Sequence, residues 1–107
     1  MEELITQLKE MGFTEYEAKA YTALVQQSHV SAYQVSKNSG IPRARVYDIL
    51  NNLVEKGIVL KEETAEQTTY SAMPVSVFLQ QMQQRWESNF TSISGEIRKT
   101  RGKSAGS

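Results

Sequence analysis

Val35-Ser36-Lys37-Asn38-Ser39-Gly40-Ile41-Pro42-Arg43-Ala44-Arg45-Val46-Tyr47-Asp48-Ile49-Leu50 decides the reading of this chain. Ser36 is small where two helices must approach closely. Gly40, four residues on, can take the positive φ of a sharp helix–helix turn. Pro42 suits the first turn of a new helix, where its missing N–H would have no partner anyway. Val46, Ile49, Leu50, Leu53 and Val54 then share one face, and Gly57 stands where a helix C-cap is expected. The pattern is that of a helix-turn-helix.

The flanks supply its context. Upstream, Leu4, Leu8 and Met11 recur at helical spacing, predicting a first helix over Glu2–Met11 that Gly12 ends. Thr14-Glu15-Tyr16-Glu17 is a capping box opening a helix over Glu15–Gln27. Ser31-Ala32-Tyr33-Gln34 reads as a second box opening a short helix over Ala32–Asn38, with Ala32, Val35 and Tyr33 facing inward. Downstream, Ile58–Glu63 and Thr68–Ala72 are rich in β-branched residues and Tyr, and the four residues between them predict a hairpin with a longer loop. A hairpin directly after a helix-turn-helix is a wing. The expected fold is mainly α with a small β-hairpin: a winged helix-turn-helix over residues 1–73, followed by one long helix over 74–101 and a disordered tail over 102–107.

That last helix starts at Pro74. Leu79, Met82, Trp86, Phe90, Ile93 and Ile97 follow at steps of three or four, and at ~1.5 Å per residue the segment would extend roughly 40 Å. This is too long for the core of a ~70-residue head to cover. A dimer seam built from these residues, joined by Leu4, Leu8 and Met11, is the favoured reading; packing of the stripe onto the first helix is the other. Gly95, flanked by Ser92 and Ser94, is expected to weaken the helix near its end.

Inward-facing Val46, Ile49 and Leu50 leave the opposite side of the second motif helix exposed: Ala44, Arg45, Asp48, Asn51, Asn52 and Glu55, with Arg43 in the first turn and Tyr47 on the flank. The helix therefore begins basic and ends acidic, which suits entry of its N-terminal end into the major groove. Arg43 and Arg45 can each donate two hydrogen bonds to guanine or to a phosphate, Ala44 can touch a thymine methyl, and Tyr47 can donate to a phosphate. The N–H groups at Ser31 and Ala32 open a helix, a natural phosphate site. Ser39 at the turn and Thr68 on the wing complete the expected DNA-contacting set. The competing reading of the two arginines is surface pairing with Asp48 or Glu62.

The stretches 11–21, 39–50 and 53–59 together resemble the N-terminal DNA-binding domain of TrmB-like winged-helix transcriptional regulators. The carrying residues are Met11-Gly12-Phe13-Thr14-Glu15-Tyr16-Glu17-Ala18-Lys19-Ala20-Tyr21, then Ser39 through Leu50, then Leu53-Val54-Glu55-Lys56-Gly57-Ile58-Val59. The resemblance covers most of the first 75 residues. It implies that the helix after Ile41-Pro42-Arg43 reads DNA, which falls here on Arg43, Ala44, Arg45 and Tyr47. Two departures limit it. Larger members carry a C-terminal sugar-binding effector domain for which these 107 residues leave no room, so sugar sensing is not expected of them and a small-molecule effector is left open. The wing is also acidic, with Glu62, Glu63 and Glu66 against Lys61, which argues against a strong phosphate grip at its tip and leaves Thr64, Gln67, Thr68 and Thr69 for neutral contacts.

Composition bounds the rest. Lys and Arg number 12 and Asp and Glu 12, so net charge is zero, which by itself counts against nucleic-acid binding. The distribution matters more: from Ala18 to Tyr47 four bases stand with no acid, and from Ile97 to Ser107 four more. There is no cysteine, which removes a disulfide framework and any thiolate metal site. The one histidine, His29, has no second imidazole to ligate with, so no metal site is expected. Neither a phosphate-binding glycine loop nor a nucleophile elbow occurs, and no cofactor and no enzyme activity are expected. No apolar run approaches the ~20 residues that span a bilayer, and the acidic Met1-Glu2-Glu3 is unlike a signal peptide, so a soluble, cytoplasmic protein is expected. The partners read from the sequence are double-stranded DNA and a second copy of the chain. The alternative is a winged-helix module making protein–protein contacts in a larger assembly.

Overall fold

A computed structural model describes residues 2–106, apart from the side chains of Val75 and of 102–106. The order is α1 (Glu2–Glu10), α2 (Glu15–Gln26), α3 (Ala32–Ser39), α4 (Arg43–Glu55), β1 (Val59–Glu63), β2 (Thr68–Ala72) and α5 (Val75–Gly106). The chain divides into two units, Met1–Met73 and Pro74–Ser107.

In the first unit each helix starts where a side chain can replace the missing partner of its first N–H groups. At Thr14 the capping box is complete: Thr14 Oγ1 accepts from the Glu17 N–H at 3.1 Å and Glu17 Oε1 accepts from the Thr14 N–H at 2.9 Å. At Ser31 only the first half forms. Ser31 Oγ accepts from the Gln34 N–H, while the Gln34 amide donates to Asn38 Oδ1, whose own amide donates to Gln27 Oε1 on the residue after α2. α3 is thereby tied to the end of α2 rather than back to its own cap. Pro42 serves as the N-cap of α4 rather than its first helical residue, with φ −55 and ψ 140.

The turn between α3 and α4 is closed by hydroxyls. Gly40 takes φ 78, a conformation costly for any residue with a Cβ. Ser36 Oγ donates to the Ile41 carbonyl at 2.6 Å, and Ser39 Oγ donates to the Val35 carbonyl while accepting from the Ile41 N–H. Ile41 is fixed from both sides and drives its side chain into the core.

That core is contributed by Ala18, Tyr21 and Leu24 of α2, Val35 of α3, and Val46, Leu50 and Leu53 of α4. Burying each of the larger aliphatic residues is worth ~1.5–3 kcal/mol. Leu8 joins it at 3% exposure. Its expected place in a dimer seam is thereby corrected, because the Phe13 N–H to Leu8 carbonyl bond folds the chain back at Gly12 and closes Leu8 inside the head. Tyr33, expected to face inward, is instead 46% exposed. Ala32 and Val35 point inward, and a residue one step from Ala32 lies ~100° round the helix from it.

β1 and β2 pair antiparallel from Val59↔Ala72 to Glu63↔Thr68. A third partner was not foreseen: Val30, between α2 and α3, pairs with Tyr70, with Val30 N–H to Tyr70 carbonyl at 3.2 Å and the reverse bond at 2.8 Å. His29 turns the chain into this pairing at φ 60, and its N–H donates to Ser71 Oγ. The wing is thus stitched to the segment that precedes α3.

The second unit is α5, 32 residues long. Helix continues through Gly95 and past Arg101 to Gly106, so the expected stop at Arg101 does not occur; Lys103 and Ala105 favour helix, and no proline interrupts it. Ser107, the last residue of the expected tail, lies outside the described residues. Along α5, Leu79, Trp86, Phe90, Ile93 and Ile97 are exposed, Trp86 at 65%, and Met82 is half-buried. The Trp86 and Phe90 rings stack at 5.5 Å. No described helix is long and apolar enough to cross a membrane.

Candidate nucleic-acid interface

Two elements present the expected site. α4 buries Val46, Ile49 and Leu50, and that phase puts Arg43, Ala44, Arg45 and Tyr47 in solvent on its first turns. α3 opens at Ser31, whose hydroxyl satisfies one backbone donor of the first turn; Ala32, next to it, buries its methyl group in the core. The two meet the wing in a cleft of about 380 Å³. Ser31, Ala32, Tyr47 and Thr68, four residues expected to touch DNA, line this one cleft. Ser39 lies apart, its hydroxyl occupied at both ends within the turn.

Sequence reasoning missed several residues of this surface. Tyr33, Lys61 and Tyr70 share the cleft with the four expected residues and with Gln67, a neutral wing contact the sequence does suggest. Tyr70 is recognisable only once Val30 pairs with it, a long-range contact with no local signal.

Neither arginine pairs with a carboxylate among the described residues, so the expected competition from Asp48 or Glu62 is not realised. Each lies on an aromatic ring instead. The Arg43 Cζ is 4.8 Å from the centre of the Tyr33 ring of α3, and the Arg45 Cζ is 5.5 Å from that of Tyr16 in α2. Both distances fall within the ~6 Å over which a ring quadrupole attracts a cation. Such a contact narrows the choice of arginine rotamers without neutralising the charge.

A second cleft, about 410 Å³, lies beside Arg45, between Thr14–Glu17 and the Ile49 and Asn52 side of α4. Its floor holds the buried carboxylate of Glu17. Lys56 Nζ, just past α4, donates to Glu17 Oε2 at 2.7 Å and lies 5.7 Å from the Phe13 ring. Burial pushes the Glu17 carboxyl upward, but the hydrogen bonds from Lys56 and from the Thr14 backbone, with the Lys56 charge, outweigh it and hold the group below its usual range. This pair ties the start of α2 to the residue that follows α4.

The wing differs in character. Glu62, Glu63 and Glu66 are exposed, and Lys61 Nζ is engaged by Glu63 at 3.2 Å. Among the described residues no group of three or more metal-ligating side chains exists.

The family described as "Sugar-specific transcriptional regulator TrmB" matches residues 8–76. The chain is 48% identical over 58 residues to the uncharacterized protein YrhO of Bacillus subtilis, a match covering 54% of this chain and 21% of that protein. It is 43% identical over 58 residues to TrmBL1 of Pyrococcus furiosus, an HTH-type sugar-sensing transcriptional regulator, covering 54% of this chain and 17% of that protein. The matched region is thus about a fifth of the length of those relatives. In structure it is similar to TrmBL2, described as an archaeal chromatin protein with a novel mode of DNA binding, at a TM-score of 0.87 and 23% identity over 95% of this chain and 39% of that one. It is also similar to Staphylococcus aureus MepR bound to an oligodeoxyribonucleotide, at a TM-score of 0.58 and 13% identity over 88% of this chain and 72% of that one. At those identities the structural likenesses establish the winged-helix fold alone. The family match, spanning more than half of the sequence, goes further: this chain belongs to the TrmB family of transcriptional regulators.

Proposed function

We propose that the chain is a sequence-specific, double-stranded-DNA-binding transcriptional regulator that acts as a homodimer in the cytoplasm. The observation that carries the reading is the first turn of α4: two guanidinium groups in solvent, aimed by tyrosine rings and uncompensated by any described carboxylate. The first turn of α3 and the hydroxyls of Tyr47 and Thr68 supply neutral donors for adjacent phosphates. TrmBL2 and MepR, similar in fold, are described with DNA, and TrmBL1 as sensing sugar.

Dimerisation is carried by α5. Leu79 recurs as Phe90, Met82 as Ile93 and Trp86 as Ile97, an eleven-residue repeat that keeps one apolar stripe nearly in line along a helix. A second copy of the same stripe is the simplest cover, and a two-fold pair of heads suits paired half-sites. Met11, exposed in the head, stands with Leu4 as a further candidate for such contacts.

The test is binding to duplex DNA over a salt series. A regulator gripping phosphates loses affinity with a log–log slope near −0.9 per contact. Flat or absent binding at ~50 mM salt would instead favour the second reading, a protein–protein module, which the acidic wing supports.

A further inference from the structure

Among the described residues, Lys37 is the one lysine with no carboxylate within ion-pair distance; Lys9, Lys19, Lys56, Lys61 and Lys99 all have one. Lys37 does have an aromatic neighbour. Its Nζ lies 5.7 Å from the centre of the Tyr33 ring, one helical turn earlier on α3, and Arg43 reaches the same ring at 4.8 Å from across the turn. One exposed tyrosine therefore gathers two positive charges. Like charges gathered without a counter-charge raise the local potential and favour an anion beside them. The turn joining the two is stiff, since Ser36 and Ser39 bridge it and Gly40 sets its direction.

We propose that Lys37 and Arg43, gathered on Tyr33, form a clamp for one backbone phosphate of DNA, with Tyr33 as its positioning residue. The proposal rests on the DNA-binding reading above and divides the work of the two arginines. Arg43 grips the backbone and carries no sequence information; Arg45, which lies on the Tyr16 ring instead, is the one left to read a base edge. The ligand is a phosphodiester, because a clamp of two cations at the tip of a helix-turn-helix meets backbone wherever the following helix enters a groove.

The experiment uses the full chain and two duplexes, one enriched from a random library and one scrambled, each titrated across a salt series. Lys37→Gln is expected to reduce the log–log salt slope by about 0.9 and to weaken both duplexes by the same factor, leaving the preference between them unchanged. Arg43→Gln is expected to behave alike. Tyr33→Ala shifts the slope in the same direction, and Tyr33→Phe restores it, because the phenyl ring keeps its cation-attracting face. An unchanged slope for Lys37→Gln, or a changed preference for Arg43→Gln, overturns the clamp. Wild-type chain that binds neither duplex at ~50 mM salt overturns the DNA-binding reading itself, whereas steep wild-type binding with an indifferent Lys37→Gln removes the clamp alone.

Discussion

The head and α5 handle apolar side chains in opposite ways. In residues 2–73 Leu24 of α2, Val35 of α3 and Val46, Ile49, Leu50 and Leu53 of α4 are buried, with Val25 the exposed exception, and the first turn of α4 presents two arginines to solvent. In α5 polar and apolar positions alike are exposed, and Leu79, Trp86, Phe90, Ile93 and Ile97 leave an apolar stripe in solvent. The head has satisfied its hydrophobic demand with its own residues and can present polar chemistry outward. The helix has not, and this uncovered apolar surface is what the proposed dimer rests on. One region is built to be recognised by its charges, the other by its shape.

The sharpest way to break this contrast is to damage each region and ask whether concentration matters. Leu50→Ala removes a fully buried side chain where α4 meets the core and is expected to cost ~2–5 kcal/mol of head stability. Denaturant unfolding of the variant should show that loss at every protein concentration. A loss appearing only at low concentration would mean that the head borrows its stability from a partner.

Next in size, Trp86→Lys places a charge at the most exposed apolar position of the stripe. It is expected to cost the association ~2 kcal/mol or more, as loss of an aromatic interface anchor does. Light scattering should then report monomers at concentrations where the wild type is expected to be dimeric, while the near-ultraviolet signature of the head tyrosines stays unchanged. A persisting dimer would move the seam away from α5.

How legible each region was follows from the range of the forces that shape it. The helix-turn-helix could be read because its signals are local: a cap at Thr14, a glycine at 40, a proline at 42 and aliphatics at helical spacing. The first two arginines of α4 were legible for the same reason, since helix phase alone puts them opposite Val46 and Ile49. Reading failed where a distant residue competes for a group. Gln34 was expected to cap its own helix but bonds Asn38, which is itself held from Gln27. Leu8 belonged to a stripe whose burial depended on how the chain turns at Gly12. The Val30–Tyr70 pairing, and with it the rim of the cleft beside α3, joins residues that no window of sequence contains together. The tyrosines beneath Arg43 and Arg45 escaped notice because a ring near a cation has no spacing rule across separate helices.

The Glu17–Lys56 pair tests the head's internal lock more gently. Lys56→Gln leaves a buried carboxylate with only its Thr14 bonds, an expected loss of roughly 1–3 kcal/mol at neutral pH. The sign with pH is fixed. The folded carboxyl titrates below its unfolded value, so the stabilisation is complete above the unfolded pKa and disappears as pH falls through the folded one. The gap between wild type and variant should therefore close in acid. A gap independent of pH would show that Lys56 acts through its contact with Phe13 instead.

The smallest effect is also the most diagnostic of how complete the head is. Thr22 is buried in α2, and its hydroxyl has no hydrogen-bond partner among the described residues. Thr22→Val exchanges that hydroxyl for a methyl of nearly the same size, and both residues are β-branched, so helix propensity barely changes. An unsatisfied buried hydroxyl costs more than the methyl that replaces it, and a gain of about 1 kcal/mol is expected, read as a rise in melting temperature. A fall would place a bound water on Thr22 in the 180 Å³ cleft it shares with Lys19, Asn38 and Ser39. The head would then depend on solvent at one point of its core, and the contrast with α5 would be one of degree.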